Sequence, residues 1–114
     1  MVLDIDTIRG TIVITLTRRF DSESAPVIES ELKKIIEEHP AAVLFDFSRT
    51  EYIASAGLRV LLSTTRTLMK TGSAVALSSL APPVRKVFEI AGFTKIFTIC
   101  GSREEALDHL QKKE

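Results

Sequence analysis

Residues 41–62 read AAVLFDFSRTEYIASAGLRVLL: an almost unbroken apolar run ending in Asp46-Phe47, a short polar passage, then Tyr52-Ile-Ala-Ser-Ala-Gly-Leu58 opening onto helically spaced leucines. The run from Ala41 to Phe47 has the pattern of a strand covered on both faces, so it belongs in the middle of a sheet, with Asp46 near its carboxyl end. The helix that follows carries Leu58, Leu61, Leu62, Leu68 and Met69 on one side and Arg59, Ser63, Arg66 and Lys70 on the other, and stops at Gly72. Passing from strand to helix through Ala54-Ser55-Ala56-Gly57 brings free helix amides, a hydroxyl and a glycine to one point. An anionic group can be held there, and another backbone can approach closely. Ser55 therefore has two readings: an N-cap whose hydroxyl bonds the amide of Leu58, or a functional hydroxyl.

Working outward, Leu3, Ile5, Ile12, Ile14 and Leu16 alternate with polar residues about Arg9-Gly10 and predict an N-terminal hairpin with one wet face. Ser22, Ser24 and Pro26 mark the start of a helix that buries Ile28, Leu32, Ile35 and Ile36 and ends at Glu37-Glu38-His39-Pro40. Beyond Gly72, a short strand at Ala74–Leu77 leads to a helix opened by Pro82-Pro83, with Val84, Val87, Phe88 and Ala91 inward and Gly92 at its end. Ile96 to Ile99 forms the last strand. Ser102 and Glu105 make a capping box for a final helix through Ala106, Leu107 and Leu110. Two strands followed by alternating helix and strand give an α/β domain over residues 1–114, a mixed, mainly parallel five-stranded sheet with about four helices. Sites in such sheets gather at the carboxyl ends of strands. The Phe20-Asp21-Ser22 turn and the Ala54–Gly57 turn both follow strands and precede helices, so they share one end and one surface.

Composition narrows the chemistry. Fifteen basic and fifteen acidic side chains cancel, so no long-range field recruits nucleic acid or an anionic membrane. Neither a signal peptide nor a membrane span is read from the sequence, so a cytoplasmic location is expected. Cys100 has no second cysteine to pair with and reads as a buried structural thiol. His39 and His109 sit in helix-end and helix-surface positions, so Ser55 lacks a base and a hydrolase reading is remote. No metal-ligand spacing, phosphate loop or dinucleotide fingerprint occurs; neither metal nor cofactor is expected, and the chain is not expected to be an enzyme. Arg18-Arg19 and the Arg59, Arg66, Lys70 stripe are solvating faces or contacts for an acidic partner. Phe20 is a core plug or an interface anchor.

Three stretches resemble the STAS domain family, named for sulfate transporters and anti-sigma factor antagonists: Val43-Leu-Phe-Asp-Phe-Ser48, Tyr52-Ile-Ala-Ser-Ala-Gly-Leu-Arg-Val-Leu-Leu62, and Val84-Arg-Lys-Val-Phe-Glu-Ile-Ala-Gly-Phe93 with Ile96-Phe97. The likeness covers nearly the whole chain and is greatest to the free-standing bacterial antagonists. It implies partner switching: the unmodified protein binds an anti-sigma factor, typically also a serine kinase, and frees a sigma factor. Phosphorylation ends binding and a phosphatase restores it. A small STAS subunit docked on a membrane transport complex is the alternative. The family's serine turn commonly reads Asp, Ser, Ser or Thr, Gly-Leu, with the acceptor before the glycine. Here Ala54 replaces the aspartate and Ala56 the acceptor, so either Ser55 has become the acceptor or binding is constitutive. Phe20-Asp21 matches the family's second partner-facing loop, with Arg18-Arg19 where a glycine often stands. The implied binding patch is Phe20, Asp21, Ser22, Ser24, Ala54, Ser55, Ala56, Gly57, Leu58 and Arg59, with Asp21 and Arg59 exposed.

Overall fold

A computed structural model describes residues 2–111. The hairpin forms about Arg9-Gly10: β1 (Asp4–Ile8) runs antiparallel to β2 (Thr11–Thr15). There follow β3 (Arg19–Phe20), α1 (Ala25–Glu37), β4 (Ala42–Asp46), β5 (Tyr52–Ile53), α2 (Ser55–Lys70), β6 (Ala74–Ser78), α3 (Pro82–Ile90), a 3-10 turn at Phe93–Lys95, β7 (Ile99–Cys100) and α4 (Arg103–Gln111). Five strands form one sheet in the order β1-β2-β4-β6-β7, parallel except for the hairpin. The expected mixed sheet and four helices are all present. A separate two-stranded ladder, β3 beside β5, was not foreseen.

Alternation along the strands sorts side chains to two cores. Ile14, Val43, Phe45 and Leu77 pack with the buried sides of α1, α2 and α3. Val13, Leu44 and Ala76 turn the other way and meet Ala106, Leu107 and Leu110 of α4. β2 lies second in the sheet and is buried through both Val13 and Ile14, so the wet face expected of the whole hairpin belongs to β1 alone. The N-terminal approach to β1 is fastened by a buried carboxylate: Glu31 accepts the amides of Val2 (2.8 Å) and Leu3 (3.1 Å).

Four positions expected to face inward are outside, among them Ile5 of β1. Met69 is 58% exposed near the end of α2, just beyond the buried Leu68, and Ala91 is exposed at the C-cap of α3. Ile96 is half exposed because Gly92, at φ 76°, starts a 3-10 turn instead of a strand. That turn brings Phe93 and Phe97 edge-on to Phe88, with centroids 6.4 and 5.8 Å away, and Phe47 completes the group at 5.8 Å. Aromatic packing wins the segment, and β7 shortens to Ile99–Cys100. The Ser102–Glu105 box forms, although the Glu105 carboxylate reaches the Gly101 amide at 3.1 Å, one residue before the cap. Among the described residues no helix is long and apolar enough to cross a membrane.

Leu61 and Phe88 are fully buried on α2 and α3. Leu61→Ala and Phe88→Ala are each expected to cost about 2 to 5 kcal/mol of unfolding free energy. Denaturant titration checks this; a loss of a few tenths would put either residue on the wrong side of its helix.

Candidate functional site

The two turns expected to share a surface are joined by backbone. β3 and β5 pair Arg19 with Tyr52 and Phe20 with Ile53. The Arg18 carbonyl accepts the amides of Glu51 (2.8 Å) and Tyr52 (3.2 Å), and the Phe20 carbonyl accepts that of Ala54 (3.0 Å). Side chains reinforce the ladder: Thr50 donates its buried hydroxyl to the Thr17 carbonyl at 2.8 Å, Arg18 pairs with Glu51 at 2.8 Å, and the Arg19 guanidinium lies 4.7 Å from the Tyr52 ring centroid. Because the Arg18–Glu51 pair is solvent-exposed on both sides, it adds little beside the backbone bonds.

Gly57 sets how closely α2 approaches this ladder. A Cβ there would stand 2.5 Å from the Phe20 carbonyl oxygen and 2.9 Å from its ring, so no larger residue fits without displacing backbone. Phe20 is fully buried and Leu58 is nearly so. Phe20 packs as a core plug, and Leu58 anchors the helix.

Asp21 departs from expectation too. Its side chain is only 17% exposed. One carboxylate oxygen accepts the amides of Ser24 and Glu23, both at 3.1 Å, and the other meets Arg19 at 3.1 Å. The hydrogen bond from the Ser24 amide, with those from the Arg19 guanidinium and the Glu23 amide, holds the Asp21 carboxyl below the usual carboxylate range. Ser24 occupies the N-cap of α1 yet points backward, donating to the Arg19 carbonyl at 2.8 Å and accepting the Asp21 amide at 3.1 Å. Asp21 and Ser24 build the turn; Ser22 is its exposed hydroxyl.

Ser55 is the first residue of α2, and Ala54 is the N-cap. The first helical bond runs from the Leu58 amide to the Ala54 carbonyl at 3.0 Å, and the Ser55 hydroxyl caps nothing. The N-cap reading of Ser55 is thereby replaced: the side chain is exposed and unengaged. The amides of Ser55, Ala56 and Gly57 precede the first helical bond and lack an intrahelical acceptor. The first turn contains no acidic residue. Beside it, Ser22, Ala25 and Pro26 face Ala56, Arg59 and Val60 across a shallow groove of about 340 Å³. Arg59 is exposed, as expected.

Beneath the platform, on the α4 side, Asp46 is 3% exposed and accepts Arg103 at 2.7 Å and 2.8 Å, while its other oxygen accepts the Ser48 amide at 2.8 Å. No sequence signal joins positions 46 and 103; the sheet order does. Among the described residues no group of three histidine, cysteine or acidic side chains is arranged to hold a metal ion. Burial, followed by the nearby Glu105, pushes the Cys100 thiol up, which suits an inert core residue.

Two substitutions test this construction. Gly57→Ala should destabilise by about 1 to 3 kcal/mol from overpacking, reversing the gain of up to about 1 kcal/mol that alanine brings to an open helix position. A higher unfolding midpoint would disprove the tight contact. Asp21→Asn should destabilise at neutral pH. Because the folded carboxyl ionises below its unfolded value, its contribution is present above the ordinary carboxylate range and vanishes as pH falls through the lower folded value. Thermal midpoints of wild type and variant should therefore differ at pH 7 and converge in acid; a constant gap would exclude the carboxylate as cause.

The STAS domain model matches residues 2–106. BtrV of Bordetella bronchiseptica, which carries the name of an anti-sigma factor antagonist, is 39% identical over 106 residues, covering 93% of this chain and 91% of BtrV. The crystal structure of an anti-sigma factor antagonist from Mycobacterium paratuberculosis superposes with a TM-score of 0.90 at 23% identity, covering 96% of this chain and 93% of that one. The Bacillus cell fate determinant SpoIIAA, 24% identical, superposes with a TM-score of 0.80 in its unphosphorylated form and 0.71 in its phosphorylated form, covering 96% and 94% of this chain and 96% and 97% of SpoIIAA. At such identities the structures speak for the fold. With the match over residues 2–106 and the 39% identity to BtrV, the chain belongs to the STAS domain family.

Proposed function

We propose that the protein is an anti-sigma factor antagonist that works by partner switching, a cytoplasmic binding module without catalytic activity of its own. Unmodified, it binds an anti-sigma factor through the exposed α2 turn and groove and so frees a sigma factor. Phosphorylation of Ser55 by a serine kinase, typically the anti-sigma factor itself, ends that binding, and a phosphatase restores it. BtrV's name and the two forms of SpoIIAA support the role and the phosphate switch. The observation that carries the reading is the state of Ser55: an exposed, unbonded hydroxyl on a helix N-terminus whose surroundings are locked in place. Thr50 is buried with its hydroxyl donated, and Ser24 is engaged in its turn. Of the hydroxyls weighed near the site, only Ser55 and Ser22 stand free toward solvent.

Affinity capture from the native cytoplasm, followed by mass spectrometry, tests the proposal. It should return an anti-sigma factor and locate phosphate on Ser55. Capture of a permease or transport ATPase would overturn the role, and phosphate on Ser22 the site. Ser55→Ala should keep binding, resist the kinase and leave stability within about 0.5 kcal/mol, since no cap bond is lost. Ser55→Asp should remain folded, with its carboxylate favoured at the helix N-terminus, yet bind at least about tenfold more weakly, roughly 1.4 kcal/mol. Calorimetry against the captured partner reads both.

A further inference from the structure

We propose that Arg59 receives the phosphate on Ser55, so that modification closes an ion pair within α2 and withdraws from the partner surface the guanidinium that the unmodified protein presents there. The inference rests on the reading of Ser55 as acceptor. In the modification, the Ser55 oxygen attacks the terminal phosphorus of a nucleoside triphosphate held by the kinase. An O–P bond forms as the bond to the bridging oxygen breaks, the diphosphate leaves, and the hydroxyl proton passes to the kinase.

Arginine pairing in this chain singles out one helix. Arg9, Arg18, Arg19, Arg49, Arg85 and Arg103 all meet carboxylates. The other two arginines of the sequence, Arg59 and Arg66, form no ion pair with any described residue, and both lie on the exposed side of α2. From Ser55 to Lys70 the helix contains no acidic residue at all. Arg59 thus stands unneutralised in the second turn of α2, where a neighbouring anion would find an unpaired cation. Across the groove, Glu29 of α1 is the nearby acid, and it does not pair with Arg59.

Spacing supplies the geometry. Ser55 and Arg59 are one turn apart on the same face, where Cβ atoms lie about 5 to 6 Å apart and long side chains meet. A hydroxyl at position 56 would have the buried, apolar Val60 at i+4 and Arg59 at i+3, on the groove side. At position 55 the hydroxyl stands at i,i+4 to the unpaired cation, on the exposed side of the helix. Phosphoserine carries about 1.5 to 2 negative charges with a second ionisation near pH 6, so a guanidinium within reach should hold the dianion to lower pH.

The test places phosphoserine at position 55 by genetic code expansion and follows its phosphorus resonance against pH at low ionic strength, with no kinase involved. Arg59→Gln should raise the second ionisation by about half a pH unit or more, Arg59→Lys should keep part of the wild-type depression, and Arg66→Gln should leave it unchanged. Equal midpoints in wild type and Arg59→Gln would overturn the pairing. So would an Arg66→Gln shift as large as that of Arg59→Gln, which would reveal a diffuse field. Kinase labelling at another residue is read on a different sample and would overturn the Ser55 assignment itself, so the two failures are distinguishable.

Discussion

The approach of Gly57 to the carbonyl of Phe20 governs the geometry of the end of the molecule that carries Ser55. That oxygen accepts the Ala54 amide and also abuts the place where a Cβ at 57 would stand, so it fixes α2 on both sides of Ser55. The Phe20 ring is buried beneath, and Leu58 enters the same core. With the residue before it bonded, the glycine after it pressed against β3, and Ala56 partly buried, Ser55 is the one position in the turn left outside. Its exposure follows from how tightly its neighbours are held.

The other face of the sheet braces the same end. Thr15, Asp46, Ser78 and Cys100 are register partners across four strands, so they form one row at the carboxyl end on the α4 side. Arg103 bridges Asp46 and Thr15 from the start of α4. A cation at a helix N-terminus is unfavourable with respect to its own dipole, but a buried carboxylate at 2.7 Å outweighs an effect of about 1 kcal/mol or less. Asp46 also takes the Ser48 amide, the first step of the passage toward β5. The platform is therefore held from above by the β3–β5 ladder and from below by α4.

What could be read from the chain without coordinates followed from periodicity. The five main strands, four helices and the adjacency of the two turns are properties of apolar spacing and element order, and they stand. Ala41–Phe47 was legible as a central strand because both its faces are apolar, whereas β2 misled because Thr11 and Thr15 are polar yet buried. Of the failed positions, Met69, Ala91 and Ile96 lie at element ends and Ile5 on the edge strand β1, where period alone does not reveal what covers a residue. At the site, the hydroxyl and glycine were visible in the sequence. Phe20 stayed open between core plug and interface anchor and the clamped state of Asp21 was hidden, because each depends on a partner that only tertiary structure supplies: Gly57 for the first, the turned-back Ser24 loop for the second.

A charge placed on Ser55 acts very differently on fold and on binding. At an exposed helix N-terminus with free amides, an anion changes stability by about 0.3 to 1 kcal/mol, and favourably, against a typical domain stability of about 5 to 15 kcal/mol. Since the hydroxyl caps nothing, no native bond is exchanged for the new one. A partner lying on the same turn must instead desolvate the phosphate or be held away from the groove, which costs several kcal/mol unless the partner offers matched cations. Under the proposed partner switching, the free Ser55 hydroxyl would separate the two effects: a modification the fold tolerates best would be the one the interface tolerates least.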